Sequence, residues 1–433
     1  MVSTVCSRSR SGRMVRVSVL ALLVTACATP NRANIPPSVA ANLSHAVRAQ
    51  TFAEYRASTV SHLRTQRTFQ SVDVAAEVEW NAPGEWTPAE AAEPGQPRKG
   101  ILLIHGLGDS PWTFVDIAAE LSKRGYLVRT ILLPGHGTRP EDVMYVTADD
   151  WRQVVRQQAD AMRRDVDTLY LGGFSTGANL ALEYAYDHAD VAGLVLFSPG
   201  FKSLSLDWLA PALAGIRPWL IRPGPEQSLQ TSVRYLMVPT NGFAQFYYTS
   251  RNARRLLAAR PYDKPVFMAV AQHDSVLNTG YLLETFERRF THPGSRLIWY
   301  GSLPQRSAQT RSSRVIARPD RLPEWRISQF SHMALPFAPS NPLYGAHGAS
   351  PLCFNGQGGD RTRACEAGAP VWYSDWGHHE KGKVHARLTF NPYFTWQAGV
   401  IAAVLDGEVP ASEPAAFQNT IGSETGGKPD ETQ

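Results

Sequence analysis

Cysteine is scarce in this sequence of 433 residues, which contains four: Cys6, Cys27, Cys353 and Cys365. No His/Cys spacing typical of a zinc site accompanies the last two. Cys353 and Cys365 flank the Gly- and Arg-rich loop Phe354–Ala364. We therefore expect them to form a disulfide, as the cysteines of exported proteins do, with a metal site as the alternative.

A long hydrophobic run and a strong excess of one charge are also missing. The apolar run Val17–Thr25 is too short to span a bilayer, and it follows a stretch with four arginines and no acidic residue. If residues 1–26 are a cleaved leader, loss of those four arginines takes the net charge from +5 to +1. The remaining chain then lacks the basic excess typical of nucleic-acid binding, and we expect no nucleic-acid partner.

The end of this leader resembles a bacterial lipobox, because the small residues of Val24-Thr25-Ala26 directly precede Cys27. The resemblance implies that residues 1–26 are a lipoprotein signal peptide and that Cys27 carries the lipid. The alternatives are an ordinary secretory signal cleaved nearby and initiation at Met14. Ala28 follows the cysteine where inner-membrane retention usually requires Asp. The expected location is therefore the bacterial cell envelope, lipid-anchored at the periplasmic face of the outer membrane.

From residue 100 onward, short apolar strands alternate with helical stretches. This alternation predicts an α/β fold with a mostly parallel central sheet, helices on both faces and an inserted cap. Apolar residues alternate over Gln70–Trp80, which predicts a leading strand. The expected units are a tether, helix and leading strand (27–99), a first core part (100–200), a cap (201–263), and a second core part (264–433) with insertions at 301–323 and 335–388 and a disordered tail from about 410.

The most informative motif is G-x-S-x-G at Gly173–Gly177, between a strand over Thr168–Leu171 and a helix over Ala178–Tyr186. The chain must turn so tightly there that Ser175 takes a strained backbone conformation, and the two glycines remove side chains that would clash. The turn also places the Ser175 hydroxyl at a helix N-terminus, where peptide dipoles favour a developing negative charge. Ser175 is therefore the candidate nucleophile.

A serine nucleophile needs a base and an acid, and the sequence offers both in the order Ser…Asp…His. Asp274 follows the buried run Val266–Ala271 and is the candidate acid, because functional side chains gather at the carboxyl ends of parallel strands. A turn cap is its alternative role. His332 is the candidate base, and His378 or His379 is the alternative.

An oxyanion requires backbone donors, and two amides are candidates. One belongs to Thr176, directly after the nucleophile. The other belongs to Leu107, in the loop after the strand that begins at Ile101. Gly106 lets this loop approach a substrate closely, and His105 is predicted to shape it through local hydrogen bonds.

Three motifs together, His105-Gly106, Leu133-Pro134-Gly135-His136-Gly137 and Gly173–Gly177, resemble the α/β-hydrolase superfamily, and most of all its monoacylglycerol lipase and carboxylesterase branch. The resemblance covers roughly residues 100–332 and the closing helix. It implies a triad, two oxyanion donors and a cap over residues 201–263. The residues implied are Ser175, Asp274, His332, Leu107 and Thr176.

The resemblance also implies a function, which is hydrolysis of a small-molecule ester or lipid through an acyl-enzyme on Ser175. No metal ion or organic cofactor is implied by this mechanism. Aromatic residues in the cap suggest an apolar acyl chain, although most of them must also pack the cap onto the sheet. Cleavage of a peptide, thioester or lactone is one alternative. A non-catalytic envelope lipoprotein with the same fold is another.

Overall fold

The computed structural model describes residues 51–88, 98–204, 206–224, 227–304 and 313–408, together with Pro36 and Val39. The predicted leader, the lipidation site Cys27 and the predicted tail lie outside these residues. None of the helices in the described ranges combines the length and the apolar character that crossing a membrane requires.

Eight strands form one sheet in the order β1-β3-β2-β4-β5-β6-β7-β8. The strands are β1 (Glu85–Trp86), β2 (Lys99–Ile104), β3 (Tyr126–Ile131), β4 (Thr168–Phe174), β5 (Val191–Phe197), β6 (Val266–Ala271), β7 (Arg296–Tyr300) and β8 (Val315–Arg318). Only β1 pairs antiparallel, with β3, and every other neighbouring pair is parallel. The predicted α/β fold with a mostly parallel sheet is therefore confirmed.

Helices cover both faces of this sheet. They are α1 (Phe52–Gln66), α2 (Val74–Asn81), α3 (Val115–Lys123), α4 (Ala148–Arg163), α5 (Thr176–Asp187), α6 (Ala210–Ala214), α7 (Thr240–Ala259), α8 (Thr279–Arg289), α9 (Gly359–Glu366) and α10 (Phe394–Leu405). Along β2, Leu102 and Ile104 pack in one apolar core with α4, α5 and α8, whereas Ile101 and Leu103 pack in a second core with α3 and α10. Alternate residues of a strand face opposite sides, so the two cores lie on the two faces of the sheet.

The predicted leading strand over Gln70–Trp80 is wrong, because α2 occupies Val74–Asn81. Asp73 caps this helix, and its side chain accepts a hydrogen bond from the Ala76 amide at 2.9 Å. The buried Glu77 carboxylate accepts from two backbone amides just upstream, which removes donors that a strand would give to a neighbour. Capping and a buried carboxylate thus outweigh the alternating pattern.

The predicted insertions also contain regular structure. Residues 301–323 include β8, which pairs parallel with β7 and extends the sheet by one strand. Residues 335–388 include α9 and a separate parallel pair, β9 (Trp372–Ser374) and β10 (His385–Arg387). Cys353 and Cys365 form the predicted disulfide in this segment, with Cα atoms 5.6 Å apart.

Candidate active site

Ser175 lies between β4 and α5 in a strained turn, with φ +53° and ψ −111°. A Cβ on Gly173 would lie 2.2 Å from the carbonyl carbon of Gly177, and a Cβ on Gly177 would lie 1.9 Å from the Ile104 carbonyl oxygen. Only glycine fits at these two positions without displacing backbone. The Ser175 amide donates to the Phe197 carbonyl at 3.0 Å, which ties the turn to the end of β5.

Asp274 and His332 meet at the carboxyl end of β6. One carboxylate oxygen of Asp274, Oδ1, accepts from the amides of Val276 and Leu277 at 2.8 and 2.9 Å. The other, Oδ2, lies 2.6 Å from His332 Nδ1. Since Nδ1 bears the proton in this bond, Nε2 is the basic nitrogen of the neutral imidazole.

The His332 ring also lies beside the nucleophile turn. Its centroid is 4.9 Å from the ring of Phe174, which directly precedes Ser175. The His332 carbonyl accepts a hydrogen bond from the Ser198 hydroxyl at 3.0 Å, and Ser198 directly follows β5. The structure therefore gathers the three predicted triad residues around the carboxyl ends of β4, β5 and β6.

The alternative bases lie elsewhere, in the loop after β9. The His378 ring packs against His385 with centroids 5.5 Å apart, and His379 Nδ1 bonds the Gly377 carbonyl at 2.9 Å. Among the described residues, no hydrogen bond joins either histidine to Asp274. The geometry therefore favours His332 as the base.

Two buried histidines organise the loop after β2. His105 Nε2 accepts from the Leu133 amide at 3.0 Å, and its Nδ1 lies 2.8 Å from the Gly106 carbonyl. His136 Nε2 accepts from the Gly108 amide at 3.0 Å. Burial lowers the pKa of His136 to about 4 and the pKa of His105 well below its ordinary value. Both rings are therefore neutral acceptors that shape this loop.

The two predicted oxyanion donors remain available to a ligand. Within the described part of the chain, no group accepts a hydrogen bond from the Leu107 amide, whereas the neighbouring Gly108 and Asp109 amides are bonded. Thr176 begins α5, where a first-turn amide has no acceptor inside the helix. The arrangement can therefore supply two amides to a developing oxyanion.

A short segment before α7, which no sequence pattern singled out, holds this loop. The Tyr235 amide donates to the Gly108 carbonyl at 2.6 Å, and its ring stacks on His136 with centroids 5.8 Å apart. Arg234 forms an ion pair with the buried Asp109 at 3.4 Å. Tyr235 appears in the sequence only as one of several aromatic residues, so no local signal distinguishes it.

Arg67, another residue that no sequence pattern singled out, joins the N-terminal helices to that segment. Arg67 is buried and pairs with Glu77 at 2.7 Å. Its remaining guanidinium nitrogens donate to the carbonyls of Gly137, Thr231 and Ser232 at 2.5, 3.1 and 2.8 Å. These contacts link the C-terminal end of α1 and the helix α2 to the loop after β3 and to the segment before α7.

Helix α7 covers the nucleophile, and Ser175 is only 7% exposed. A Cβ on Gly242 of this helix would lie 3.2 Å from the Leu107 side chain, and a Cβ on Gly200 would lie 2.7 Å from the Phe246 ring. Phe246 is buried, whereas Trp208 in the same inserted region is 58% exposed. Among the described residues, no group of three His, Cys, Asp or Glu side chains is placed to hold a metal ion.

Residues 95–288 match the family model Hydrolase_4, described as serine aminopeptidase, S33. That segment contains Ser175 and Asp274 and ends before His332.

Among the curated proteins, the chain is 34% identical over 96 residues to a thermostable monoacylglycerol lipase of Bacillus sp. (strain H-257), which is 22% of this chain and 38% of the lipase. It is 22% identical over 185 residues to a carboxylesterase of Bacillus subtilis (strain 168), covering 42% of this chain and 74% of the esterase. The chain thus spans only 38% of the length of the first of these relatives.

The chain resembles many solved structures, two of which follow. One, described with the metagenome-derived lipolytic enzymes LipS and LipT, shares 22% identity with it over 51% of this chain and 86% of its own, with a TM-score of 0.41. The monoacylglycerol lipase of Paleococcus ferrophilus shares 17% identity over 50% of this chain and 87% of its own, with a TM-score of 0.40.

Proposed function

We propose that this chain belongs to the α/β-hydrolase superfamily and is a serine hydrolase that cleaves carboxylic esters through an acyl-enzyme on Ser175. One observation carries the proposal. The Asp274–His332 pair, bonded at 2.6 Å, lies beside a serine held in a strained strand-to-helix turn. That combination supplies the activated nucleophile that acyl transfer needs.

In the proposed mechanism, Ser175 attacks the ester carbonyl while His332 Nε2 takes the hydroxyl proton. Asp274 holds the imidazole through Nδ1 and balances its charge once it is protonated. The Leu107 and Thr176 amides donate to the oxyanion, and a donor of this kind contributes on the order of 3 kcal/mol to the transition state. His332 then protonates the leaving alcohol, and water releases the acid from Ser175.

The substrate class follows from the relatives and from the cover over the site. The relatives named above are a monoacylglycerol lipase and a carboxylesterase. In this chain, the buried Phe246 of α7 lies close to Gly200, beside the nucleophile turn. We propose an ester with an apolar acyl chain, or a lipid.

The experiment is hydrolysis of p-nitrophenyl esters from acetyl to palmitoyl by the wild-type protein and by Ser175→Ala, beside labelling with a fluorophosphonate probe. Turnover and labelling that both vanish in Ser175→Ala support the proposal. Labelling without ester turnover favours a peptide, thioester or lactone. Absence of both in the wild type favours the non-catalytic envelope protein.

We also propose that Cys27 carries a lipid that anchors the protein in the bacterial cell envelope. The support is the small-residue pattern before this cysteine and the basic and apolar stretches that precede it. Labelled palmitate fed to expressing cells is expected to enter the wild-type protein and not Cys27→Ala. Equal incorporation into both would contradict the anchor.

A further inference from the structure

A second buried carboxylate lies against the loop that carries Asp274. The Ser275 amide donates to Asp375 Oδ2 at 2.5 Å, whereas the next two amides, of Val276 and Leu277, donate to Asp274 Oδ1. Three consecutive amides of the loop are thus divided between two carboxylates. Asp375 directly follows β9 and is fully buried, so its contact with Ser275 is shielded from water.

Arg387 brings positive charge near this carboxylate and opposes the rise that burial causes in the pKa of Asp375. It ends β10 and pairs in register with Ser374, the residue before Asp375. Its Nε donates to Asn355 Oδ1 at 2.8 Å, and its guanidinium packs 4.9 Å from the Trp376 ring centroid. Burial lowers the pKa of Arg387 to about 10, which leaves the side chain cationic at neutral pH.

We infer that Asp375 and Arg387 form a positioning pair for the proposed triad, an inference that rests on the proposed function. Asp375 fixes the loop that carries Asp274, and Arg387 balances the charge that Asp375 brings beside the Asp274–His332 couple. The pair belongs to residues 335–388, outside the family match that ends at residue 288. This segment therefore belongs to the candidate active site.

The charged groups around the couple come from four parts of the chain. Beyond Asp274 itself, the loop after β2 contributes the buried Asp109, and the segment before α7 contributes Arg234, whose Nη1 lies 3.0 Å from Met333 Sδ. The small sheet contributes Asp375 and Arg387. His273 precedes Asp274 and pairs with Asp320 at 3.5 Å. Two carboxylates and two guanidiniums thus lie around the Asp274–His332 couple, and their charges are opposite in sign. Neutralising one of these four groups therefore leaves an uncompensated charge beside the couple.

The sign of the effect can be derived for each member. Asp375→Asn keeps an oxygen that can accept from the Ser275 amide, but it leaves the positive charge of Arg387 uncompensated. That charge disfavours the imidazolium of His332, so the acid limb of the kcat/KM profile should move to lower pH by about half to one unit. Arg387→Gln leaves the opposite charge and should move the limb to higher pH.

The test is the kcat/KM–pH profile of the wild type, Asp375→Asn, Arg387→Gln and the double variant. We expect opposite displacements in the single variants and a return toward the wild-type profile in the double variant. Asp360→Asn is the matched control, because Asp360 lies in the same segment and its side chain is 96% exposed. Profiles that coincide, or two single variants displaced in the same direction, would overturn the inference.

NMR titration of the His332 imidazole in the same proteins measures the effect of the Asp375–Arg387 pair without requiring turnover. A wild type that neither turns over esters nor reacts with the fluorophosphonate probe overturns the proposed function, whereas an active wild type with an unmoved His332 titration overturns only the positioning pair. If Asp375→Asn does not fold, Arg387→Gln alone still decides, since an unmoved titration contradicts the charge balance.

Discussion

The assignment of the base depends on two residues, His332 and His378. His332 bonds Asp274 at 2.6 Å, and His378 packs against His385. We expect His332→Ala to lower kcat/KM by a factor of about 1,000 or more, because no other described group is placed to take the Ser175 proton. His378→Ala should lower it less than about tenfold. Steady-state kinetics on one ester decides, and the reverse pattern would transfer the role of base to His378.

Gly177 is the residue at which the nucleophile turn has least space. A Cβ there would lie 1.9 Å from the Ile104 carbonyl oxygen, which is backbone and cannot move aside. We expect Gly177→Ala to lower the free energy of unfolding by at least about 3 kcal/mol, measured by urea denaturation. Gly399 in α10 is the control, since a Cβ there meets nothing within 4 Å. Gly399→Ala should be neutral or stabilising by up to about 1 kcal/mol, and equal losses in both variants would contradict the steric argument.

At the scale of elements, a buried ion pair contributes to the contact between the N-terminal helices and the segment before α7. Arg67 and Glu77 are both buried and lie 2.7 Å apart. We expect Arg67→Met to lower the free energy of unfolding by about 3–5 kcal/mol, because it leaves the Glu77 carboxylate buried without its partner. Arg67→Met combined with Glu77→Gln should recover part of that loss. Urea denaturation measures both, and a double variant no more stable than Arg67→Met would contradict the explanation.

The strands of the core could be predicted because each is a short apolar run with its own signal. The strand predicted over Thr168–Leu171 begins at Thr168 and extends to Phe174, and the buried run Val266–Ala271 before Asp274 is strand β6. Val315–Arg318 escaped prediction because its burial is partial and its sequence is polar at the end. The alternating pattern over Gln70–Trp80 gave a wrong prediction of a strand. A helix cap and a buried carboxylate, rather than burial of one strand face, determine the structure there.

The residues of the candidate site likewise differ in whether a local sequence pattern predicts them. Ser175 and Asp274 could be proposed from local patterns, a glycine-flanked turn and a strand end. Asp375 and Arg67 could not, because each acts on a partner about 100 residues or more away in sequence. A buried charge has no local pattern that tells it from a solvated one, so only the fold shows which charged residues serve the site.

For the whole molecule, buried neutral histidines make stability depend on pH. Burial lowers the pKa of His136 to about 4 and the pKa of His385 to about 4, and it lowers the pKa of His105 well below its ordinary value. In the unfolded chain each titrates near 6.5. Between these values the unfolded state binds more protons, so stability is complete above about pH 6.5 and is lost as the pH falls toward 4.

The expected slope is up to about 1.4 kcal/mol per pH unit for each such histidine over this window. Urea denaturation between pH 4.5 and 7.5 measures it. His136→Gln removes one titrating ring while keeping an acceptor for the Gly108 amide, and its slope should be smaller by about one proton. Equal slopes in the two proteins would show that His136 is protonated in the folded state.

The positive φ of Ser175 sets the chain's activity against its own stability. A backbone in this region costs about 1–3 kcal/mol for a residue with a side chain and little for glycine. Ser175→Gly should therefore melt at a higher temperature than the wild type, whereas Ser175→Ala, which keeps the Cβ, should melt near the wild-type temperature. Laboratory evolution that selects only for thermal tolerance would drive this protein toward loss of its nucleophile, so a screen for hardier variants must select for turnover as well.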